Sequence, residues 1–404
     1  MNIAKYISSK INDSGSQSFT ASVTKIAIIS IAIGLAIMIV SFAILEGFRN
    51  QIQSKIFSFA AHMQVSKYDT NNSFEGNPIS TLAVEKDLKN ITEIKQRQPY
   101  AFKTAIAKGG DEVLGIIIKG IDKHYDLGPM RANLVAGNTI KFTDTAASND
   151  IMVSQQIADK LRLKIGDRAI FYFIQNPPRV RRFTVTGIYK TGLEEFDQAY
   201  VLADLQHIRD LNKWPDTLAG GYEIIIKNFD KIDTVASEVF DKMDYDLKLE
   251  KITDQYAQLF DWMKLLKKNV IIFLVLIIFV ATFNMISTVF IMILERTNMI
   301  GLLKALGATD PQIREIFFFK GLNLALKGLF WGNVIALTFC YIQYRFKLIP
   351  LDPENYYMDT VPIHWNFGVI VLLNAVTFIL TMLSIIIPTL MITRIKPVTA
   401  IKFD

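Results

Sequence analysis

Side chains able to do chemistry are few in this sequence, and they are scattered. The four histidines, His62, His124, His207 and His364, stand far apart without metal-ligand spacing, and each is expected to be a surface or packing residue. The single cysteine, Cys340, lies in an apolar run, which excludes an intrachain disulfide and a cysteine-based zinc site. Glu194 and Glu195 are adjacent and read as a solvated turn, not as a paired general acid and base. No nucleophile elbow occurs. Nor does a Gly-x4-Gly-Lys-Ser/Thr string, so the chain cannot cradle nucleotide phosphates by the P-loop route. Energy from ATP would have to come through a partner.

The densest polar pattern is ERTNMIGLLKALGATDPQIREIFFFKG, residues 295–321. Residues 270–294 before it are uncharged over 25 positions. At ~1.5 Å per residue that run exceeds the ~30 Å hydrocarbon core of a bilayer and predicts a spanning helix. Ile300, Leu303 and Leu306 then recur at helical spacing on one face. Gly307 is placed to stop that helix, because glycine enters the left-handed region at little cost. Asp310 can cap a new helix, with Pro311 at its first position. The pattern predicts a short helix lying across the membrane face, a glycine stop, and a helix climbing back. A solvated loop joining two membrane helices is the plainer alternative.

The string ER-x3-IG-x2-KALGA-x4-I-x3-F resembles the signature loop of FtsX-like ABC permeases, which include the lipoprotein-releasing and macrolide-exporter types. The resemblance implies that the short helix is a coupling helix docking into a groove on a cytoplasmic ATPase. Glu295, Arg296, Ile300, Gly301, Lys304, Ala305, Gly307 and Ala308 would carry that coupling. It also implies that this chain holds no cofactor of its own, Mg-ATP being bound by the partner ATPase.

The elements that must position this loop follow from composition. The chain of 404 residues is 51% apolar and 20% charged, with a mean hydropathy of +0.28, divided between uncharged runs and one long polar block. Its net charge of +6 does not indicate nucleic acid. No basic stripe or nucleic-acid motif is present, and excess Lys and Arg are expected beside membrane helices. Residues 1–25 predict an amphipathic helix on the inner leaflet, a frayed tail being the alternative. Residues 26–45 form the first span. It reads as retained, because both the run and the region before it are too long for a signal peptide. Residues 46–265 form a polar block, 270–294 the second span and 295–320 the coupling loop. Residues 321–344 form the third span, where Lys327 can snorkel, and 345–366 a short loop with Pro350, Pro353 and Pro362. Residues 367–393 form the fourth span, with Pro388 a kink near its end, and 394–404 a basic tail. The bias of Lys and Arg toward the N-terminal region, the coupling loop and the tail puts both termini in the cytoplasm and the block outside.

Within the block, strands are expected at 114–122, 168–174 and 181–189, a short helix over 154–161, and a strand running into a helix from Tyr200. Phe183, Val185 and Gly187 alternate to one side. The run NDIMVSQQIADKLRLKIGDRAIFYF, continued by FTVTGIYKTGLEEFDQAYVLADL, is similar to the periplasmic core of lipoprotein-releasing permeases. The fold class implied is a membrane protein with four transmembrane α-helices and a large α+β periplasmic domain between helices 1 and 2, the MacB/FtsX-like architecture.

The function implied is a non-catalytic permease subunit of an ABC transporter in the bacterial inner membrane, releasing lipoproteins to a periplasmic carrier. The partners implied are an ATPase dimer, a second permease subunit, identical or related, and membrane lipids. A mechanotransmitter driving a periplasmic hydrolase or efflux partner remains the alternative. One departure concerns the family's longer hook hairpin, where this sequence has only QNPPRVRR, residues 175–182. If a soluble periplasmic partner binds there, Pro177 and Pro178 supply a stiff tip and Arg179, Arg181 and Arg182 the charge. A tight solvated turn, its arginines guarding an edge strand, is the competing reading.

Overall fold

The structure, a computed structural model, describes residues 19–69, 73–110, 112–143, 146–352 and 356–394. Most of the expected N-terminal amphipathic helix and nearly all of the basic tail therefore lie outside the described residues. Two compact units are present, one within residues 1–50, 263–351 and 359–404, the other within 51–262 and 352–358.

The first unit is helical: it holds most of α1 (Phe19–Phe59) and α2 (Ala257–Glu295), and all of α3 (Thr297–Ala305), α4 (Asp310–Phe346) and α5 (Phe367–Thr389). Among the described residues, four helices are long and apolar enough to cross a membrane, the short α3 being the exception. α1 and α2 run for 41 and 39 residues. At ~1.5 Å per residue each is about 60 Å long, twice the ~30 Å hydrocarbon core. The apolar runs 26–45 and 270–294 thus mark only part of each helix. Proline is absent from both, so nothing in the sequence stops them at the first charge.

Close packing in this unit depends on small residues. A Cβ on Gly332 of α4 would stand 2.9 Å from the Ala32 carbonyl oxygen and 3.0 Å from Leu35 Cβ of α1. One turn earlier, a Cβ on Gly328 would stand 2.7 Å from Ile31 Cβ. This Gly-x3-Gly pair lets the α1 and α4 backbones approach, which matters where lipid supplies no hydrophobic drive to pack helices. Asn333 of α4 and Asn374 of α5 exchange amide hydrogen bonds of 2.7 and 3.0 Å, each satisfying the other inside the bundle. Pro388 stands one residue before the end of α5, and the chain tightens into a 3-10 turn over Leu390–Arg394.

The second unit carries ten strands in one sheet: β1 (Met63–Lys67), β2 (Ile94–Gly109), β3 (Glu112–Ile121), β4 (Leu134–Gly137), β5 (Asp150–Ser154), β6 (Arg168–Phe173), β7 (Arg179–Tyr189), β8 (Tyr200–Asp204), β9 (Gly221–Ile226) and β10 (Leu247–Lys251). Their order is β10-β1-β9-β2-β3-β8-β5-β7-β4, and β6 pairs with both β2 and β7. Strands β2, β3, β8, β5, β7 and β6 therefore close into a ring. The 16-residue β2 makes this possible: Ile94–Tyr100 pairs with β9, while Ile106–Lys108 reaches β6. Alternation then sends Ala105, Ile116, Ile118, Val153, Phe171, Phe183, Val185 and Val201 into one buried core. Small alanines on β2 leave room for the Phe171 and Phe183 rings, whose centroids are 5.0 Å apart.

The expected strands and short helix are present, the latter as Gln155–Leu161 with Ser154 Oγ accepting from the Ile157 amide at 3.0 Å. Glu194 and Glu195 are solvated as expected, but not in a turn. They open a helix, Glu194–Ala199, where carboxylates oppose the helix dipole favourably. His62 and His207 are packing residues. His62 Nδ1 accepts from the Ile226 amide at 3.1 Å, and His207 Nε2 lies 2.9 Å from the Ser148 carbonyl oxygen.

Candidate functional site

α2 ends at Glu295, and Arg296 breaks the helical run with φ −105 and ψ 19. α3 follows and is closed by a complete Schellman motif. The Ala308 amide donates to the Leu303 carbonyl at 2.9 Å and the Gly307 amide to that of Lys304 at 3.0 Å. That closure requires a positive φ at Gly307, and the observed value is +92.

The restart differs by one residue from the sequence expectation. Thr309, not Asp310, is the N-cap, with Pro311 at the second helical position. Thr309 and Gln312 form a reciprocal capping box, the Thr309 amide donating to Gln312 Oε1 at 2.9 Å. Asp310 is thereby released for another task. Its Oδ1 lies 2.8 Å from Lys304 Nζ, which also donates to the Ile392 carbonyl at 2.7 Å. Lys304 thus ties α3 to the start of α4 and to the turn that follows α5.

The eight residues expected to couple fall into three sets. Ile300 and Gly301 are buried, and Ile300 belongs to one buried cluster with Ile31, Met285, Val289, Phe317 and Ile385, which come from all four long helices. Arg296, Lys304 and Ala308 are half-buried. Glu295, Ala305 and Gly307 are exposed. The expected common face of Ile300, Leu303 and Leu306 does not form: Leu306 is 77% exposed, and Leu302 joins it at the surface. Leu302, Ala305 and Leu306 form an exposed outward strip. Sequence reasoning did not single out Leu302 and Leu306 as exposed.

In the second unit, β6 and β7 form a hairpin whose tip is Ile174–Pro178. Alternation along β7 separates the three arginines. Arg179 and Arg181 share the face of Phe183 and Val185, and Arg179 Nη1 donates to the Asp210 carbonyl at 3.4 Å. Arg182 lies on the opposite face with Tyr172, Val180 and Ile174, the last 80% exposed. The structure does not bring Arg179, Arg181 and Arg182 together. It offers instead an apolar strip with Arg182 at its base and Pro177 and Pro178 exposed at the tip.

Four membrane-length helices, a helix–turn–helix cap braced against them and a mixed sheet domain inserted after the first helix define a membrane permease. Residues 271–397 match the FtsX-like permease C-terminal family, and residues 24–241, more than half the chain, match the MacB-like periplasmic core domain. The chain belongs to the FtsX-like permeases that carry a MacB-like periplasmic core. Among curated relatives, lipoprotein-releasing system transmembrane protein LolC of Neisseria meningitidis serogroup B is 21% identical, covering 96% of this chain and 95% of its own length. Lipoprotein-releasing system transmembrane protein LolE of Haemophilus influenzae is 23% identical, covering 93% of each. The solved periplasmic region of MacB from Actinobacillus actinomycetemcomitans aligns with 51% of this chain and 95% of its own, with 12% identity and a TM-score of 0.34.

Proposed function

We propose that this chain is the permease subunit of an ATP-driven transporter that releases lipoproteins from the bacterial inner membrane to a periplasmic carrier. The observation that carries this reading is end-to-end similarity to relatives named as lipoprotein-releasing transmembrane proteins, which spans both the helices and the inserted domain. ATP hydrolysis then belongs to a separate cytoplasmic ATPase dimer that binds Mg-ATP. That dimer covers the exposed strip of Leu302, Ala305 and Leu306. A second permease subunit, identical or related, completes the membrane part. Both termini and the Thr309 turn face the cytoplasm, and the ring domain faces the periplasm, where the tip at Ile174–Pro178 meets the carrier.

ATP-driven closure of the ATPases presses on α3. Ile300 and Lys304 pass the displacement to the bundle, because Ile300 belongs to a buried cluster drawn from all four long helices and Lys304 is bonded to the turn beyond α5. Purification in mild detergent followed by reconstitution tests the proposal. The expected result is co-purification of an ATPase and ATP-dependent transfer of a lipoprotein from proteoliposomes to a soluble carrier. Co-purification of a cell-wall hydrolase or an efflux pump, with no lipoprotein transfer, would sink it. Topology is tested separately in a Cys340→Ala background. A cysteine at the exposed Ser237 should react with an impermeant thiol reagent in spheroplasts, and one at Thr309 should not.

A further inference from the structure

The second unit contains a cleft of about 550 Å³ that no step above uses. Sites for small ligands run to roughly 300–1,000 Å³, so the cleft is of that size. It opens at the carboxyl ends of β3 and β8, parallel neighbours that pair Ile121 with Asp204. Beyond that point the chain diverges, β3 running into residues 122–124 and β8 into the helix Leu205–Asn212. A crevice at the carboxyl ends of parallel strands is where α/β sheets commonly take a ligand. Arg97 of β2, Tyr222 of β9 and Glu85 of the helix Thr81–Leu88 stand on the other side.

Charges of both signs line the cleft, and they divide by what already holds them. Asp204 is buried and has both oxygens engaged, by the Gln206 and Ser148 amides at 2.9 Å each. Glu85 and Asp216 are exposed at the rim. Tyr222 Oη donates to Glu85 at 3.1 Å, and Gln206 Nε2 donates to Asp216 at 3.1 Å. Three half-buried groups are left. Asp122 accepts the His124 amide at 3.0 Å through Oδ1, while Oδ2 has no donor among the described residues. Arg209 donates from Nε to the Leu218 carbonyl at 2.9 Å and keeps its two terminal nitrogens open. The Arg97 guanidinium has no bonded partner among the described residues.

Neither arginine forms an ion pair with Asp122 among the described residues, although opposite charges in one cleft attract. A wall that holds two guanidinium forks and a carboxylate apart is complementary to a molecule that brings both missing charges. Burial raises the Asp122 carboxyl above its usual range, against the pull of the His124 amide and of the His124 and Arg209 charges. An ammonium placed beside it supplies the counter-charge that burial makes valuable.

We propose that this cleft binds a small zwitterion of about tripeptide size, its anionic end in the forks of Arg97 and Arg209 and its ammonium on Asp122. Guanidinium groups take carboxylate and phosphate oxygens alike, so a peptide or a phosphoethanolamine carries the required chemistry. The inference goes beyond the transport reading and does not depend on it.

The test is calorimetric titration of the full chain in detergent with triglycine and with glycerophosphoethanolamine. Acetyl-triglycine and glycerol 3-phosphate lack the ammonium; triglycinamide and ethanolamine lack the anion. At least one zwitterion should bind saturably in the millimolar range or tighter, and removing either of its charges should weaken binding about tenfold or more, the scale of one hydrogen bond to a charged group. Arg97→Gln and Asp122→Asn should each cost about the same. The thermal unfolding midpoint of the ligand-free variants should match wild type, which separates a lost contact from a damaged fold. Should Arg97→Gln fail to fold, Asp122→Asn, which changes almost no volume, decides alone. Triglycine as the ligand supports a peptide carboxylate in the forks, and glycerophosphoethanolamine a phosphate. No binding of either probe would overturn the proposal, as would binding that ignores both substitutions. Binding that survives loss of the ammonium would make this an anion site and overturn it equally.

Discussion

Gly307 offers the sharpest test of the proposal that this turn couples the permease to an ATPase. Its φ is +92, and a Cβ built there meets nothing within 4 Å. Crowding therefore adds no cost, and any penalty for a side chain comes from the backbone alone. An L-residue in the left-handed region costs about 1–2 kcal/mol, with alanine toward the lower end and β-branched valine at or above the upper. Each ~1.4 kcal/mol is tenfold in a population, so the closed turn should lose roughly five- to thirtyfold against alternatives. Those alternatives forfeit the amide bonds of Ala308 and Gly307 to Leu303 and Lys304, so the estimate is an upper bound. Asparagine tolerates the left-handed region and should be nearly neutral. The assay measures ATP hydrolysed and lipoprotein released in the same proteoliposomes for Gly307→Asn, Gly307→Ala and Gly307→Val. Release per ATP should fall in that order while the chain still inserts in the membrane. Wild-type coupling in the valine variant, or asparagine proving worst, would refute the reasoning, since neither can follow from backbone strain.

Three further outcomes are expected. Gly332→Val drives a branched side chain into the Ala32 carbonyl 2.9 Å from its Cβ, so thermal unfolding in detergent should show a loss of about 1–3 kcal/mol. The His62 imidazole is held down to about 4 from an ordinary 6.5, first by burial and then by the Lys95 charge. The unfolded chain takes up that proton first, so His62's contribution is complete above pH ~6.5 and drains away toward pH 4, by ~3 kcal/mol in all. Unfolding of the full chain between pH 7.5 and 5 should show this slope, and His62→Gln should flatten it. At the hairpin, Ile174→Asp should weaken carrier binding about tenfold in a titration, the ~1.4 kcal/mol scale of losing one buried aliphatic contact. Arg179→Glu, whose side chain turns back to the Asp210 carbonyl, should change it far less.

The membrane helices were legible because an uncharged, apolar run of twenty or more residues seldom serves any purpose but spanning a bilayer. Their full length was not, since hydropathy reports where lipid lies and not where a helix stops; α1 runs through Glu46, Arg49 and Lys55 to Phe59. The helix–glycine–helix turn was legible at Gly307, whereas two of its details were misjudged. Leu306 lies six residues beyond Ile300, and at 100° per residue that places it about 120° away from the buried face. The capping box Thr309-x-x-Gln312 is also in the sequence, but the Asp-Pro pair beside it drew the cap one residue too far. β2 escaped because Lys95, Gln96, Arg97 and Gln98 interrupt its alternation, a half of the strand that pairs with β9 outside the ring. Lys119 of β3 and Glu223 of β9 each stand between apolar neighbours, which is a signal; that their side chains pair at 2.7 Å across 104 positions is a fact of topology no local pattern contains.

Closure of the ring has a bearing on how such a domain diversifies. β6 and β7 are each paired on both sides, to β2 and to β5 as well as to one another, so the hairpin's base is held without any help from its tip. Extra residues inserted between Phe173 and Arg179 would meet only the slowly growing entropy of a longer loop, about 0.6 kcal/mol for each doubling. The tip is therefore free to be lengthened, shortened or exchanged by insertion while the barrel beneath keeps its packing. A change of a few codons at one place remodels this edge without touching the core.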